Sequence, residues 1–288
     1  MKTINNYINE YYRDGYTVIK SGMNKKECEK LIKQTLIPIL HKNNIYLSNK
    51  YKYFNNVPGA LISGKNGTHA ISKDNKHFRF KPLFNSKILN EFLNKIHKRN
   101  YKNCNSNKTN NTNNSNNSYN TFNNWDYSYL SKEGLGWIHL RFPYYDYESN
   151  ESDEGPKGPK GPKGPYAQDN SFHLDNTIET DNYSLINPEQ SAVILPFIST
   201  VKQRGGGTGV IPGSHKIIND YILRYNYNTN KDIDTFIENK FENCKEFKEI
   251  TGEQGDILIM HPHLVHSPTL ADINSKIRIT FNIGTITK

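Results

Sequence analysis

Residues 171–177 read Ser-Phe-His-Leu-Asp-Asn-Thr, and residues 255–266 read Gly-Asp-Ile-Leu-Ile-Met-His-Pro-His-Leu-Val-His. On a strand, side chains two residues apart share a face, so His173 and Asp175 point the same way. A fold that uses both stretches must bring a second strand, about ninety residues further on, to the place where it adds an imidazole to that pair. His261, His263 and His266 are the candidates, and Arg278 follows them in an apolar, β-prone run. The pattern is one of metal ligands, and it constrains the chain more than any other feature.

The rest of the chain supplies strands and helices around it. Ile4, Tyr7, Ile8, Tyr11 and Tyr12 have helical spacing, Arg13-Asp14-Gly15 reads as a turn, and Tyr16–Ile19 as a strand. Residues 23–40 predict a second helix, with Asn24 as N-cap and Cys28, Leu31, Ile32, Leu36 and Ile39 on its apolar side. Residues 44–80 lack a sustained period, and His69 and His77 read there as ordinary loop or surface histidines. Residues 82–100 predict a further helix. Residues 137–143 alternate, with Trp137, His139 and Arg141 on one side and Ile138, Leu140 and Phe142 on the other. Strand-like runs at 191–198 and 210–211 flank the cluster Gly205-Gly206-Gly207-Thr208-Gly209. That cluster lacks the following Gly-Lys-Ser/Thr and the strong helix of a phosphate loop. Residues 216–247 read as helix and loop, and 252–260 as the start of a last strand pair with a turn at Gly255-Asp256. Many short β segments separated by turns indicate a mainly β barrel or sandwich with helical additions, in one domain over residues 1–288.

Composition agrees once two polar segments are set aside. Only 34% of residues are hydrophobic and the mean hydropathy is −0.80, but 19 Tyr and 13 Phe supply bulky apolar surface. Residues 103–124 are about half Asn, a low-complexity insertion that cannot bury enough apolar surface to order itself. Residues 155–165 repeat Gly-Pro-Lys, collagen-like but far too short for a triple helix, and read as a stiff, basic loop. The net charge of +9 is spread along the chain and not gathered into a stripe, which argues against nucleic acid as the partner. Cys28, Cys104 and Cys244, odd in number and without metal-binding spacing, suit free thiols in a reducing compartment. With no apolar run long enough for a bilayer and no signal-peptide stretch, the expectation is a soluble, intracellular, cytoplasmic protein.

Two histidines and one carboxylate on one face of a metal, with the opposite face open, form the ligand set of non-haem Fe(II) oxygenases. The chain also resembles the phytanoyl-CoA dioxygenase family of Fe(II)- and 2-oxoglutarate-dependent oxygenases. The resemblance is carried by residues 12–19 with Glu27-Cys28, by Trp137–Pro143, by Phe172-His-Leu-Asp175, by Val210-Ile-Pro-Gly-Ser-His-Lys216, and by the run from Gly255-Asp256 to Arg278. It implies a double-stranded β-helix, a jelly-roll of two sheets buttressed by N-terminal helices. The family pattern His-Pro-x-x-x-His, followed about a dozen residues later by arginine, picks His266 as distal ligand and leaves His261 and His263 structural or pocket-lining. His173, Asp175 and His266 are then the implied iron ligands, with positions left for 2-oxoglutarate and dioxygen. Arg278 is the implied partner of the distal 2-oxoglutarate carboxylate, a bidentate fork that lysine cannot reproduce. Thr208, Thr269 and Arg141 are further co-substrate candidates, His139 is a pocket candidate, and His215 is expected to fix a turn.

The activity implied is hydroxylation of a small organic molecule, an acyl or lipid-like one among the classes, with release of succinate and CO2. Three other readings stand beside it. One is a catalytically silent jelly-roll that uses its basic and Asn-rich loops for interaction, against which the inward-facing ligand set argues. Another is a cupin-like metalloenzyme without 2-oxoglutarate, which Arg278 disfavours. The last is a hydroxylase of collagen-like lysine, for which Lys157, Lys160 and Lys163 would be tethered mimics. If the repeat is only a connector, mass spectrometry after turnover with iron and 2-oxoglutarate will find no added oxygen on these lysines. A gain of one oxygen on any of them would support the lysine reading.

Overall fold

Thr3 starts the first helix, α1 (Ile4–Asp14): its hydroxyl accepts from Asn6 N, and the Asn6 side chain accepts from Thr3 N, a reciprocal cap. The computed structural model describes residues 2–42, 61–63, 68–71, 83, 85–105, 125–127, 137–143, 172–175, 177–179, 184–186, 190–225, 230–241, 244 and 247–287. α1 ends at Gly15, whose φ is +83°. A Cβ there would lie 2.5 Å from Nδ1 of His215 and 2.7 Å from Leu264, so glycine is required both for conformation and for space. β1 (Tyr16–Ile19) follows. Asn24 caps α2 (Lys25–Leu31), which passes through a π-helical turn (Ile32–Leu36) into α3 (Ile37–Lys42). The sequence predicts one unbroken helix here, because the apolar spacing carries no sign of the wider turn. The next helix, α4 (Lys87–Asn105), begins after Ser86, whose hydroxyl accepts from Leu89 N and whose carbonyl accepts from Asn90 N. It therefore starts later than the periodicity suggests and takes in the first three residues of the Asn-rich stretch. The rest of that stretch, and the Gly-Pro-Lys repeat, lie outside the described residues.

The remaining elements, in order, are β2 (Leu61–Ser63), β3 (Thr68–Ile71), β4 (Trp125–Tyr127), β5 (Trp137–Arg141), β6 (Thr177–Glu179), β7 (Ser184–Ile186), β8 (Gln190–Pro196) and β9 (Thr208–Val210). β2 and β3 precede α4 in the chain. After β9 come α5 (Ser214–Tyr225), α6 (Asn230–Phe241), β10 (Lys248–Ile250), β11 (Ile257–Met260), β12 (His266–Pro268) and β13 (Arg278–Thr287). All the described pairings are antiparallel. The large sheet runs β1-β11-β8-β13-β5-β3-β2, with β4 against the far end of β13; the small one runs β10-β9-β12, and β6 and β7 form a hairpin. His69, read from the sequence as a loop or surface residue, lies on a strand, β3, opposite Leu140. His77 lies outside the described residues.

Alternation divides the side chains of β8 and β11 between two cores, and β13 adds its apolar face to one of them. Ile257 and Ile259 of β11, Ala192 and Ile194 of β8, and Ile279, Phe281 and Ile283 of β13 join one core with Tyr7, Ile8 and Tyr11 of α1 and Leu89, Phe92, Leu93 and Ile96 of α4. Leu258 and Met260, and Val193 and Leu195, face the other way, into a core shared with Val210 and Ile250 of the small sheet. Both faces of β8 and β11 are buried, which is why their sequences read as nearly continuous apolar runs. α5 and α6 cover the outer side of the small sheet through Ile218, Ile233, Ile237 and Phe241, packed with Ile211 and Val265. The architecture is mainly antiparallel β with helical additions, a two-sheet double-stranded β-helix.

Cys28 belongs to the helix-side core, and burial pushes its thiol up to about 11, as suits a packing residue. Cys28 and Cys244 are free thiols. No described helix is long and apolar enough to cross a membrane. Gly15→Ala should cost about 2 kcal/mol in urea unfolding, since a left-handed Ala is strained and its Cβ strikes His215 and Leu264. An unchanged midpoint would contradict this account of the α1–β1 turn.

Candidate metal centre

His173 and His266 are joined by their backbones. His173 N donates to His266 O at 3.0 Å and His266 N donates to His173 O at 3.2 Å, so the two residues form a hydrogen-bonded antiparallel pair at the edge of the small sheet. Directly opposed residues in such a pair send their side chains to the same face. The two imidazoles stand 4.4 Å apart between ring centroids. Asp175, two residues beyond His173, completes the group: its Oδ2 is 3.3 Å from His266 Nε2 and its Oδ1 3.7 Å from His173 Nε2. One donor atom from each residue lies within 4.8 Å of the others, and together the three could hold a metal ion. The site opens on the His173 side, where that side chain is 44% exposed against 7% for His266.

The surroundings orient these donors. His266 Nδ1 lies 2.9 Å from the Leu264 carbonyl; a carbonyl only accepts, so Nδ1 carries the proton and Nε2 is left as the donor to metal. Asn282 Nδ2 donates to Asp175 Oδ2 at 3.0 Å. Burial alone would raise the Asp175 pKa, but His266, then His173 and Asn282, outweigh it and hold the group well below the usual carboxylate range. Burial alone would lower His266; the Asp175 charge and the Leu264 carbonyl reverse that and raise it. A carboxylate kept ionised beside two imidazoles, each able to turn a nitrogen lone pair to a metal once deprotonated, is a donor set that suits a divalent cation.

A cavity of about 240 Å³ adjoins the three residues, lined by His139, Arg141, Leu195, Thr208, Pro268, Arg278 and Asn282 as well. It occupies the polar part of the space between the sheets. His139 and Arg141 face it from β5 while Leu140 and Phe142 face the helix-side core, the division that the alternation predicts. Burial, then Arg278, pushes His139 down to about 4, so the ring is neutral at physiological pH. Arg278 is 4% exposed, and burial and Arg141 push it down to about 9, still cationic near neutrality. Its Nη1 lies 3.5 Å from Thr208 Oγ1, and among the described residues its Nε has no hydrogen-bond partner and no carboxylate forms an ion pair with it. A buried guanidinium so thinly satisfied faces a cavity suited to an anion.

Not every sequence candidate reaches the cavity. Thr269 does not line it: its hydroxyl lies within the wall, 2.9 Å from Gly207 O and 2.8 Å from Glu249 Oε1, with one proton to give to either. His261 and His263 sit apart from the three donors, in a cluster with His215 and Tyr11. Pro212-Gly213-Ser214-His215 ties elements together. Gly213 N donates to Asp14 O, His215 Nε2 meets Tyr12 O, and Ser214 Oγ accepts from Val265 N, next to His266. His215, expected to fix a turn, instead ties the start of α5 to the end of α1. Asn282 was missed, although residues 278, 280 and 282 of one strand share a face and the signal lay in that alternation. Glu249 was missed too, and no local pattern marks it.

The sequence matches the phytanoyl-CoA dioxygenase (PhyH) family over residues 11–269. No curated protein matches it by sequence. Among solved structures, AviO1 from Streptomyces viridochromogenes Tue57 superposes with a TM-score of 0.51 at 12% identity, covering 99% of this chain and 96% of that one, and supports the fold. The non-heme alpha ketoglutarate dependent carbocyclase SnoK from nogalamycin biosynthesis gives 0.49 at 11% identity, covering 99% and 86%. The epimerase SnoN, solved with Fe3+, alpha ketoglutarate and nogalamycin RO, gives 0.49 at 10% identity, covering 99% and 83%. With the family match spanning most of its length, the chain belongs to the phytanoyl-CoA dioxygenase (PhyH) family.

Proposed function

We propose that this chain is a single-domain Fe(II)- and 2-oxoglutarate-dependent dioxygenase that hydroxylates a small organic substrate and releases succinate and CO2. The observation that carries the reading is the pairing, in one cavity, of a His-Asp-His donor set with a buried guanidinium that has no carboxylate ion-pair partner among the described residues. His173, Asp175 and His266 hold the iron, and Asn282 and the Leu264 carbonyl keep Asp175 and His266 aimed at it. Arg278 takes the distal carboxylate of 2-oxoglutarate. Four residues of extended strand, roughly 13 Å, separate it from Asn282, so β13 fixes both ends of the co-substrate site. Thr208 donates its hydroxyl at that distal end. Neutral His139 and the apolar Leu195 and Pro268 line the cavity without adding charge. Iron, 2-oxoglutarate and dioxygen supply the oxidising chemistry once bound, and the protein supplies orientation and a sheltered cavity.

Two substitutions test the assignment. His266→Ala should weaken Fe(II) binding and abolish succinate release, while His261→Ala, outside the donor set, should leave Fe(II) affinity unaltered; the reverse result would move the ligand to His261. Arg278→Lys keeps the charge and loses the fork, so KM for 2-oxoglutarate should rise by about tenfold or more, equivalent to about 1.4 kcal/mol. An unchanged KM would remove Arg278 from the site.

A further inference from the structure

Arg141 and Arg278 are direct cross-strand partners in the β5–β13 register, and both are buried. Like charges set opposite each other on adjacent strands repel, so something must hold these two guanidiniums side by side before an anion arrives. Arg141 Nη1 donates to the Thr269 carbonyl at 2.6 Å. The Thr269 hydroxyl meets Glu249 Oε1 at 2.8 Å, and the same carboxylate accepts from Gly207 N at 2.7 Å and Arg204 N at 2.6 Å. Thr269 N closes the circuit by donating to Gly207 O at 3.0 Å. Glu249, 7% exposed in the middle of β10, thus gathers the loop before β9 and the residue after β12 onto one carboxylate.

That arrangement gives the glycine cluster a purpose unrelated to phosphate. Gly206 has φ +73°, and a Cβ on it would lie 2.4 Å from Cδ of Arg141, so the loop presses against the aliphatic stem of that arginine. The next residues are Gly207, held by Glu249, and Thr208, which faces the cavity and meets Arg278. Burial pushes Glu249 up while its three donors, and Arg278, oppose it.

We propose that Glu249 is a positioning residue for the co-substrate: through Thr269 and the 204–207 loop it fixes Arg141 and Thr208 beside Arg278, pre-organising the carboxylate end of the cavity. The proposal deepens the 2-oxoglutarate reading above and rests on it. Pre-organised donors avoid the cost of ordering them on binding, so the benefit falls on ligand affinity.

Isothermal titration of 2-oxoglutarate into protein loaded with Mn(II), a redox-inert stand-in for iron, tests it. Glu249→Gln keeps the size but cannot accept from all three donors. Its Kd for 2-oxoglutarate should rise about tenfold with Mn(II) affinity unaltered, and in turnover the loss should fall on KM for 2-oxoglutarate and not on kcat. With Arg141→Met already present, Glu249→Gln should cost threefold or less, because the two act through one path. Unchanged or tighter 2-oxoglutarate binding by folded Glu249→Gln overturns the proposal; its carboxylate would then only staple β9 to β10. Should that variant fail to fold, Gly206→Ala displaces the Arg141 stem from the other side and should weaken 2-oxoglutarate comparably, an unaltered Kd again overturning it. Wild-type protein that binds Mn(II) but not 2-oxoglutarate would refute the co-substrate reading itself, and the positioning role with it.

Discussion

The site depends on a pair of backbone hydrogen bonds. His173 and His266, about ninety residues apart in the chain, exchange N–H and C=O across the edge of the small sheet, and this reciprocal pair sets both imidazoles on one face. A shift of one residue in that pairing would send one side chain to the opposite face and dismantle the donor set. Much of the surrounding structure bears on this register. β9 pairs with β12 along its other edge, Ser214 holds Val265 N, and Pro212-Gly213-Ser214-His215 fastens the segment to the end of α1. The N-terminal helix thus contributes to the site without touching it.

A second constraint is how the space between the sheets is shared. Strands whose two faces are both buried normally carry apolar residues on each, as β8 and β11 do. β5 and β13 do so on the helix side only, and turn His139, Arg141, Arg278 and Asn282 inward. Burying two guanidiniums is costly unless an anion or a dense set of acceptors receives them. Thr269 O serves Arg141, Glu249 stands nearby as a carboxylate, and Arg278 remains the less satisfied of the pair toward the cavity. The fold carries an electrostatic cost there that a bound dicarboxylate would relieve.

Much of this was legible in the sequence where information was local. The alternation over residues 139–142 separated cavity side chains from core side chains, and the β1 strand was placed residue for residue. His173 and Asp175 do converge, but from a single bridge followed by a bend and not from the strand their spacing suggested. Helix boundaries were less legible, since Ser86 and the π-helical turn at Ile32–Leu36 change them without altering apolar spacing. The β2–β3 hairpin was not visible at all: three- and four-residue strands carry little period of their own, and β3 is ordered by pairing with β5. Glu249 and Thr269 show the other limit. Each has its role through partners more than ten residues away, and nothing near them in the chain signals that Thr269 braces the wall and Thr208 faces the cavity.

The central claim is that one cavity chelates a keto acid at a His-Asp-His metal and anchors its far carboxylate on Arg278. Anaerobic titration of 2-oxoglutarate into the Fe(II)-loaded protein, followed by visible absorption, addresses it most directly. The account predicts a weak metal-to-ligand charge-transfer band that appears with 2-oxoglutarate, saturates at one equivalent and is absent when succinate is used instead. Fe(II) binding at His173, Asp175 and His266 with no such band at saturating 2-oxoglutarate would contradict it.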